Sequence, residues 1–334
     1  GVHDQVTDSL REAGIEWEEA WGVQPNPVLA KVKEMVGRAR ECEARALLCV
    51  GGGSVIDSGK AVAAGVHLDD PWQPFADRSA VEEALPLYAV LTLSATGSEM
   101  NQYAVVTHEE EQKKWNIHGP ALHPRVSIID PAAQFSLPWE QTVNGALDAT
   151  AHILEQYFAN DEAGTTLAVN EALLASINRA ADRLREEPDH YPSRADLAWA
   201  ATLALNGISG AGMGGGDWAT HMIEHGISAR HPQVAHGAGL GVLFPAWIEY
   251  CRDRNPALFA RWAERVWGAD SVAGGIAAMR EKIASWGAPV TLGDLGIDEE
   301  EIGPIAANAA RVGELGKVRK LGRREVEEIL RLAL

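Results

Sequence analysis

The chain has 334 residues and a mass of 35.9 kDa, enough for one large or two ordinary domains at roughly 100–200 residues each. Hydrophobic residues make up 46% and charged residues 23%, which excludes disorder as the main state. Only 29 Lys and Arg stand against 47 Asp and Glu, and the resulting charge of −18 repels a phosphate backbone, so nucleic acid is excluded as a partner.

In chain order, the periodicity predicts an amphipathic helix over 28–42, with Leu29, Val32 and Val36 on one face. The run ALLCV at 46–50 is continuously apolar and stopped by three glycines, as expected of a strand buried on both faces. A helix follows over 54–65 with Ser54 near its N-cap. A second buried strand, at 87–91, ends in the polar loop TLSATGSE at 92–99; a third, at 126–129, is ended by Asp130-Pro131. This is the βαβ rhythm of a parallel sheet with helices on both faces. After about Pro138 the chain turns to long Ala- and Leu-rich helical patterns. The expected organisation is an α/β nucleotide-binding domain over 1–137 and an all-helical domain over 138–334, packed across a cleft because no linker separates them.

Cys42, Cys49 and Cys251 form no C-x-x-C pair, so neither a disulfide framework nor a cysteine zinc site is expected, and a reducing cytoplasm fits best. No run approaches the ~20 apolar residues that span a bilayer, so no membrane partner is expected. The opening GVHDQVTDSLREAG lacks the apolar core and cleavage site of a signal peptide. Without an initiator Met, it is expected to continue a longer gene product.

Two constellations carry chemistry. Gly51, Gly52 and Gly53 follow a strand and precede a helix, which places backbone N–H groups and a positive dipole end where a phosphate can sit. A tight turn needing positive φ at one glycine would look the same. The string is neither a Walker A loop, since Ser54 and Ala61 break it, nor a Rossmann fingerprint, since Ile56 stands at the third glycine. Thr92, Ser94, Thr96 and Ser98 supply hydroxyls one strand further on, at the sheet end where ligands bind in open α/β sheets.

The second constellation is a set of metal donors. Asp148 and His152 are four apart in a helical pattern, and His221 and His225 repeat the spacing. Four of the eleven histidines, His221, His225, His231 and His236, lie within 16 residues. A carboxylate with imidazoles suits divalent zinc or iron. Spacing alone leaves open which histidines close the cage; Asp217 and Glu224 are further candidates, although Asp217 could equally cap a helix.

Together these strings resemble the iron-containing (group III) alcohol dehydrogenase family, in its butanol-dehydrogenase-like aldehyde reductase branch. The matching segments are GGGSVIDSGKA (51–61), LTLSATGSEMN (91–101), NGALDATAHILEQYF (144–158), LALNG (203–207), and DWATHMIEHGISA with HGAGL (217–240). The resemblance implies a dehydroquinate-synthase-like fold whose first strands precede Gly1, so the loop distinguishing NAD from NADP lies outside the chain. It implies an NAD(P)(H)-dependent enzyme with Fe2+ or Zn2+ that interconverts primary alcohols and aldehydes by hydride transfer, working as a cytoplasmic homodimer. Residue by residue, Asp148, His152, His221 and His236 match the metal ligands, and His225 matches the histidine facing substrate and nicotinamide, a plausible proton relay. Gly51, Gly52, Gly53 and Ser54 match the pyrophosphate loop, Asp57 a cofactor-side carboxylate, Thr92, Ser94 and Thr96 the nicotinamide and phosphate loop, and Lys114 a lysine reaching the cofactor ribose. The His221 to His236 interval is one residue longer than usual, and HGIS replaces the common HELS. Alternative expectations are a glycerol-dehydrogenase-like or dehydroquinate-synthase-like enzyme, against which TLSATGSEMN and DWATHMIEH argue, and a non-catalytic relative lacking the N-terminal strand.

Overall fold

The computed structural model describes residues 1–334. It opens with α1 (Val2–Glu12) and α2 (Leu29–Glu41), then β1 (Leu47–Gly51), α3 (Gly53–Gly65), the short α4 (Gln73–Asp77) and β2 (Leu87–Leu91). A hairpin of β3 (Tyr103–His108) and β4 (Lys113–His118) precedes β5 (Val126–Ile128). The parallel sheet has the order β1-β2-β5. Gly51 and Leu91 are register partners, so the loops after β1 and β2 leave the sheet side by side. The amphipathic periodicity of 28–42 and the apolar runs at 46–50, 87–91 and 126–129 place the helix and the three strands within a residue or so of where they stand.

Burial departs from expectation in β1. Cys49 faces α3, where a Cβ on Gly59 would lie 2.2 Å from its Sγ. On the opposite side of the sheet, Leu48 is 41% exposed and Val126, across the shared register partner Tyr88, 56%, so that side of the sheet reaches solvent. The hairpin was not anticipated at all. Its inward residues Ala104, Val106 and Ile117 pack against α2 and α3.

From Trp139 the chain is helical: α5 (Trp139–Phe158), α6 (Gly164–Glu186), α7 (Tyr191–Leu205), α8 (Ala219–Arg230), α9 (His236–Cys251), α10 (Pro256–Trp267), α11 (Val272–Ser285), α12 (Glu299–Ala309) and α13 (Arg323–Leu332). The largest hydrophobic core lies among these helices. Helix α5 is central, buried continuously from Thr142 to Phe158 between α6, α7 and α9. Helix α8 lies against α9, α12 and β4.

Glycines let α9 approach α5 closely. A Cβ on Gly237 would lie 1.9 Å from the Asn144 carbonyl oxygen, and one on Gly241 2.9 Å from Leu147 Cδ1. Neither has a positive φ, so space rather than backbone freedom demands glycine. The contact brings His236, the first residue of α9, level with Asp148 one turn beyond Asn144. Gly237→Ala should therefore lower the stability of the fold by about 1–3 kcal/mol, the usual cost of overpacking. Gly164→Ala, where a Cβ meets nothing within 4 Å, serves as the control. Denaturant midpoints at constant m-value read the difference; equal midpoints would contradict the close contact.

Candidate functional site

The glycine loop begins at the end of β1, with Gly52 as the N-cap of α3. Gly51, Gly52 and Gly53 all have negative or extended φ, so the tight-turn explanation does not account for them. A Cβ on Gly53 would lie 2.5 Å from the Thr96 side chain, and one on Gly52 3.0 Å from Leu93 Cβ. The loops after β1 and β2 are thus pressed together, and Thr92 N–H donates to Gly51 O at 3.0 Å. The first turn of α3 presents N–H groups without intrahelical acceptors along this seam, a setting that suits a phosphate.

Not every expected cofactor residue faces that seam. Ser54, Thr92 and Thr96 are part-exposed beside it, and Thr96 Oγ1 accepts from Ser98 N–H at 3.2 Å. Ser94 is buried, its hydroxyl accepting from Gln134 Nε2 at 2.8 Å. Asp57, expected on the cofactor side, is turned inward: its oxygens accept from Ser98 Oγ at 2.6 Å and Val105 N–H at 2.9 Å. The start of the hairpin folds over α3 and supplies those donors, so Asp57 braces the loops. Lys60 does the same from one turn on, donating to Asn101 O, Asn101 Oδ1 and Tyr103 O. Burial pushes its pKa down to about 8, against the opposing pull of Asp57 and Glu99.

The metal donors gather where α5, α8 and α9 meet. On α5, His152 Nε2 lies 3.6 Å from Asp148 Oδ1, and His236 Nε2 lies 3.8 Å from the same oxygen. The His152 and His221 rings are 4.9 Å apart, and His221 and His236 5.4 Å. Donor atoms of Asp148, His152 and His221 all lie within 4.8 Å of one another. Ligands around a tetrahedral ion at ~2.1 Å are separated by about 3.4 Å, close to the distances observed. Asp148 Oδ1 and His221 Nε2 are buried without any hydrogen-bond partner, which is costly unless a cation completes them. Burial also pushes the pKa of His152 down to about 3, against the pull of Asp148, leaving the neutral imidazole that ligation requires. These residues fit a divalent ion.

The remaining candidates separate clearly. His225 is buried beside His236, with ring centroids 5.4 Å apart and its Nδ1 unpartnered. Burial, reinforced by Lys114, holds its pKa well below the usual histidine range, so the ring stands neutral. His231 stays outside, 3.1 Å from Glu301. Asp217 accepts from the N–H groups of Ala219, Lys317 and Val318 and so anchors the start of α8. Lys114, expected at the ribose, is buried instead against Asn26 Oδ1 at 2.9 Å, Ser228 Oγ at 2.8 Å and Glu224 Oε2 at 3.2 Å. Sequence reasoning missed Glu155, which accepts from His221 Nδ1 at 2.8 Å. Its place seven residues after Asp148, on the same helix face, was the available signal.

Comparison with known proteins shows the family. Residues 1–131 match the iron-containing alcohol dehydrogenase family, and residues 142–334 match the C-terminal part of the Fe-containing alcohol dehydrogenase family. A probable NADH-dependent butanol dehydrogenase 2 of Bacillus subtilis is 40% identical over all of this chain and 88% of its own length. The NADPH-dependent aldehyde reductase YqhD of Escherichia coli is 36% identical over 90% of this chain and 80% of its own. The crystal structure of an NADH-dependent butanol dehydrogenase A from Thermotoga maritima, 47% identical, superposes with a TM-score of 0.97 over all of this chain and 87% of that one. With both halves matched and such identity sustained along its whole length, the chain belongs to the iron-containing alcohol dehydrogenase family.

Proposed function

We propose that the protein is a metal-dependent oxidoreductase that interconverts a primary alcohol and an aldehyde by hydride transfer with NAD(P)(H). The observation that carries this is the convergence of buried Asp148, His152 and His221, with half-buried His236 beside them, in a chain whose phosphate-type loop belongs to the same family fold. Relatives named for NADH and for NADPH support a nicotinamide cofactor. The division of labour in this reading gives the cofactor to residues 1–137 and metal and substrate to residues 138–334. We further propose a homodimer working in the cytoplasm, where Cys42, Cys49 and Cys251 stay reduced.

When bound, the divalent ion supplies Lewis-acid polarisation of the substrate oxygen and the nicotinamide gives or takes the hydride. The protein's own residues do the rest. Gly51, Gly52, Gly53 and Ser54 cradle the pyrophosphate on backbone N–H groups, and Thr92 and Thr96 line the neighbouring loop. Ser94 and Asp57 hold that loop in shape from behind. Asp148, His152, His221 and His236 grip the ion, and His225, neutral in its buried setting, stands one turn from His221 to pass a proton at the substrate oxygen.

Four variants test this. Asp148→Ala and His221→Ala should each lose stoichiometric metal by elemental analysis together with nearly all turnover; retention of both would refute the ligand set. Gly52→Val should weaken NADH and NADPH binding, read by nicotinamide fluorescence, while metal content stays intact, because the new side chain would strike Leu93 and fill the seam. His225→Ala should keep the metal and lower kcat by roughly 100-fold, the usual scale for a proton-transfer group. Metal loss in that variant would instead make His225 a ligand.

A further inference from the structure

Given the metal centre proposed above, we infer that Glu155 and Glu224 are its positioning residues. Each accepts the Nδ1–H of one proposed ligand histidine and so fixes which ring nitrogen is left for the ion, and in which direction it points. His221 donates from Nδ1 to Glu155 Oε1 at 2.8 Å, and its Nε2 is left buried and unpartnered among the donors of Asp148 and His152. His236 repeats the arrangement: its Nδ1 donates to Glu224 Oε2, while its Nε2 lies 3.8 Å from Asp148 Oδ1. Two histidines from two helices thus present the same face to one carboxylate oxygen, each backed by a carboxylate of its own.

His152 is the exception that explains the need. It sits four residues from Asp148 on one helix, so α5 itself sets its place, and its Nδ1 has no partner. His221 and His236 arrive on separate helices and depend on an acceptor to hold the ring. A carboxylate at Nδ1 also selects the tautomer and raises the basicity of the other nitrogen. Glu155 is 1% and Glu224 0% exposed, so water does not screen either bond.

Glu224, His225 and His236 also place donor atoms within 4.8 Å of one another, which could suggest a second ion. The Lys114 ammonium already stands there, 3.2 Å from Glu224 Oε2 and 3.3 Å from His236 Nδ1, and a further cation would meet it at contact distance. The role left for Glu224 is to orient His236.

Glu155→Gln and Glu224→Gln keep side-chain volume and a carbonyl acceptor but remove the charge. The apo forms, titrated with Zn2+ against a chromophoric chelator, should bind about 10- to 100-fold more weakly than the parent. At saturating Co2+, the visible absorption band should shift in both. Far-UV circular dichroism should match the parent, and a residue that merely packs would move neither readout. Glu155 also accepts from Trp218 N–H, His221 N–H and Thr220 Oγ, so its variant could fail to fold. Glu224→Gln, whose side-chain partners are His236 and Lys114, then decides alone. Parental Zn2+ affinity with a parental Co2+ spectrum in the folded variants overturns the assignment. A parent that binds no Zn2+ overturns the metal centre itself and the assignment with it.

Discussion

Asp148, Glu155 and Glu224 bring three carboxylates into one nearly closed space, and everything around them serves to make that burial tolerable. Removing a carboxylate from water costs several kcal/mol unless donors or cations replace the lost hydration. Glu155 meets the demand with four donors from the start of α8, and Glu224 with Lys114 and His236 on Oε2, its Oε1 having no partner. Asp148 Oδ1 meets it with nothing from the protein. A carboxylate oxygen left unsatisfied among imidazoles, two of which (His221 and His236) have their other nitrogen already engaged, is how a protein reserves a position for a positive ion.

The same logic, with different residues, governs the cofactor side. Loops that must present backbone N–H groups outward cannot also be held by those groups, so they are held from within. Asp57 and Lys60 tie α3 to the segment running from Ser98 to Val105, and Glu99 accepts from Thr202 Oγ1 at 2.5 Å on α7. The charged residues closest to the glycine loop in sequence therefore act as struts.

Much of this was legible in the sequence, and the parts that were not share a cause. Continuous apolar runs announce the strands, though not their exposed outer side, and residue type and spacing announce a group of metal donors, within which the set Asp148, His152, His221 and His236 comes from the family resemblance. The hairpin at 103–118 was hidden because its second strand, KKWNIH, offers only Trp115 and Ile117 as alternating apolar residues, while Lys114, on the opposite face, is buried against α8. Glu155 reads as an ordinary helix-surface glutamate and Glu224 only as one more candidate metal donor, since no local pattern says that a neighbouring helix will deliver an imidazole to them. Asp57 was misplaced for the opposite reason: its motif neighbours face the ligand seam, whereas its donors come from residues some forty or more positions further on. Partners distant in the chain are what periodicity and spacing cannot see.

The position of Lys114 carries a consequence for how the molecule comes apart. Its ammonium links the hairpin of the first half to Glu224 and Ser228 on α8, and to Asn26, whose amide donates to Pro232 O and Val234 O just before α9. Separating the halves would strand a charge and several buried polar groups at once, a far larger penalty than parting a weakly packed domain interface. The two parts therefore do not melt independently. They share one cooperative transition, with the strand-and-helix half drawing stability from the helical half across a seam of polar rather than oily contacts.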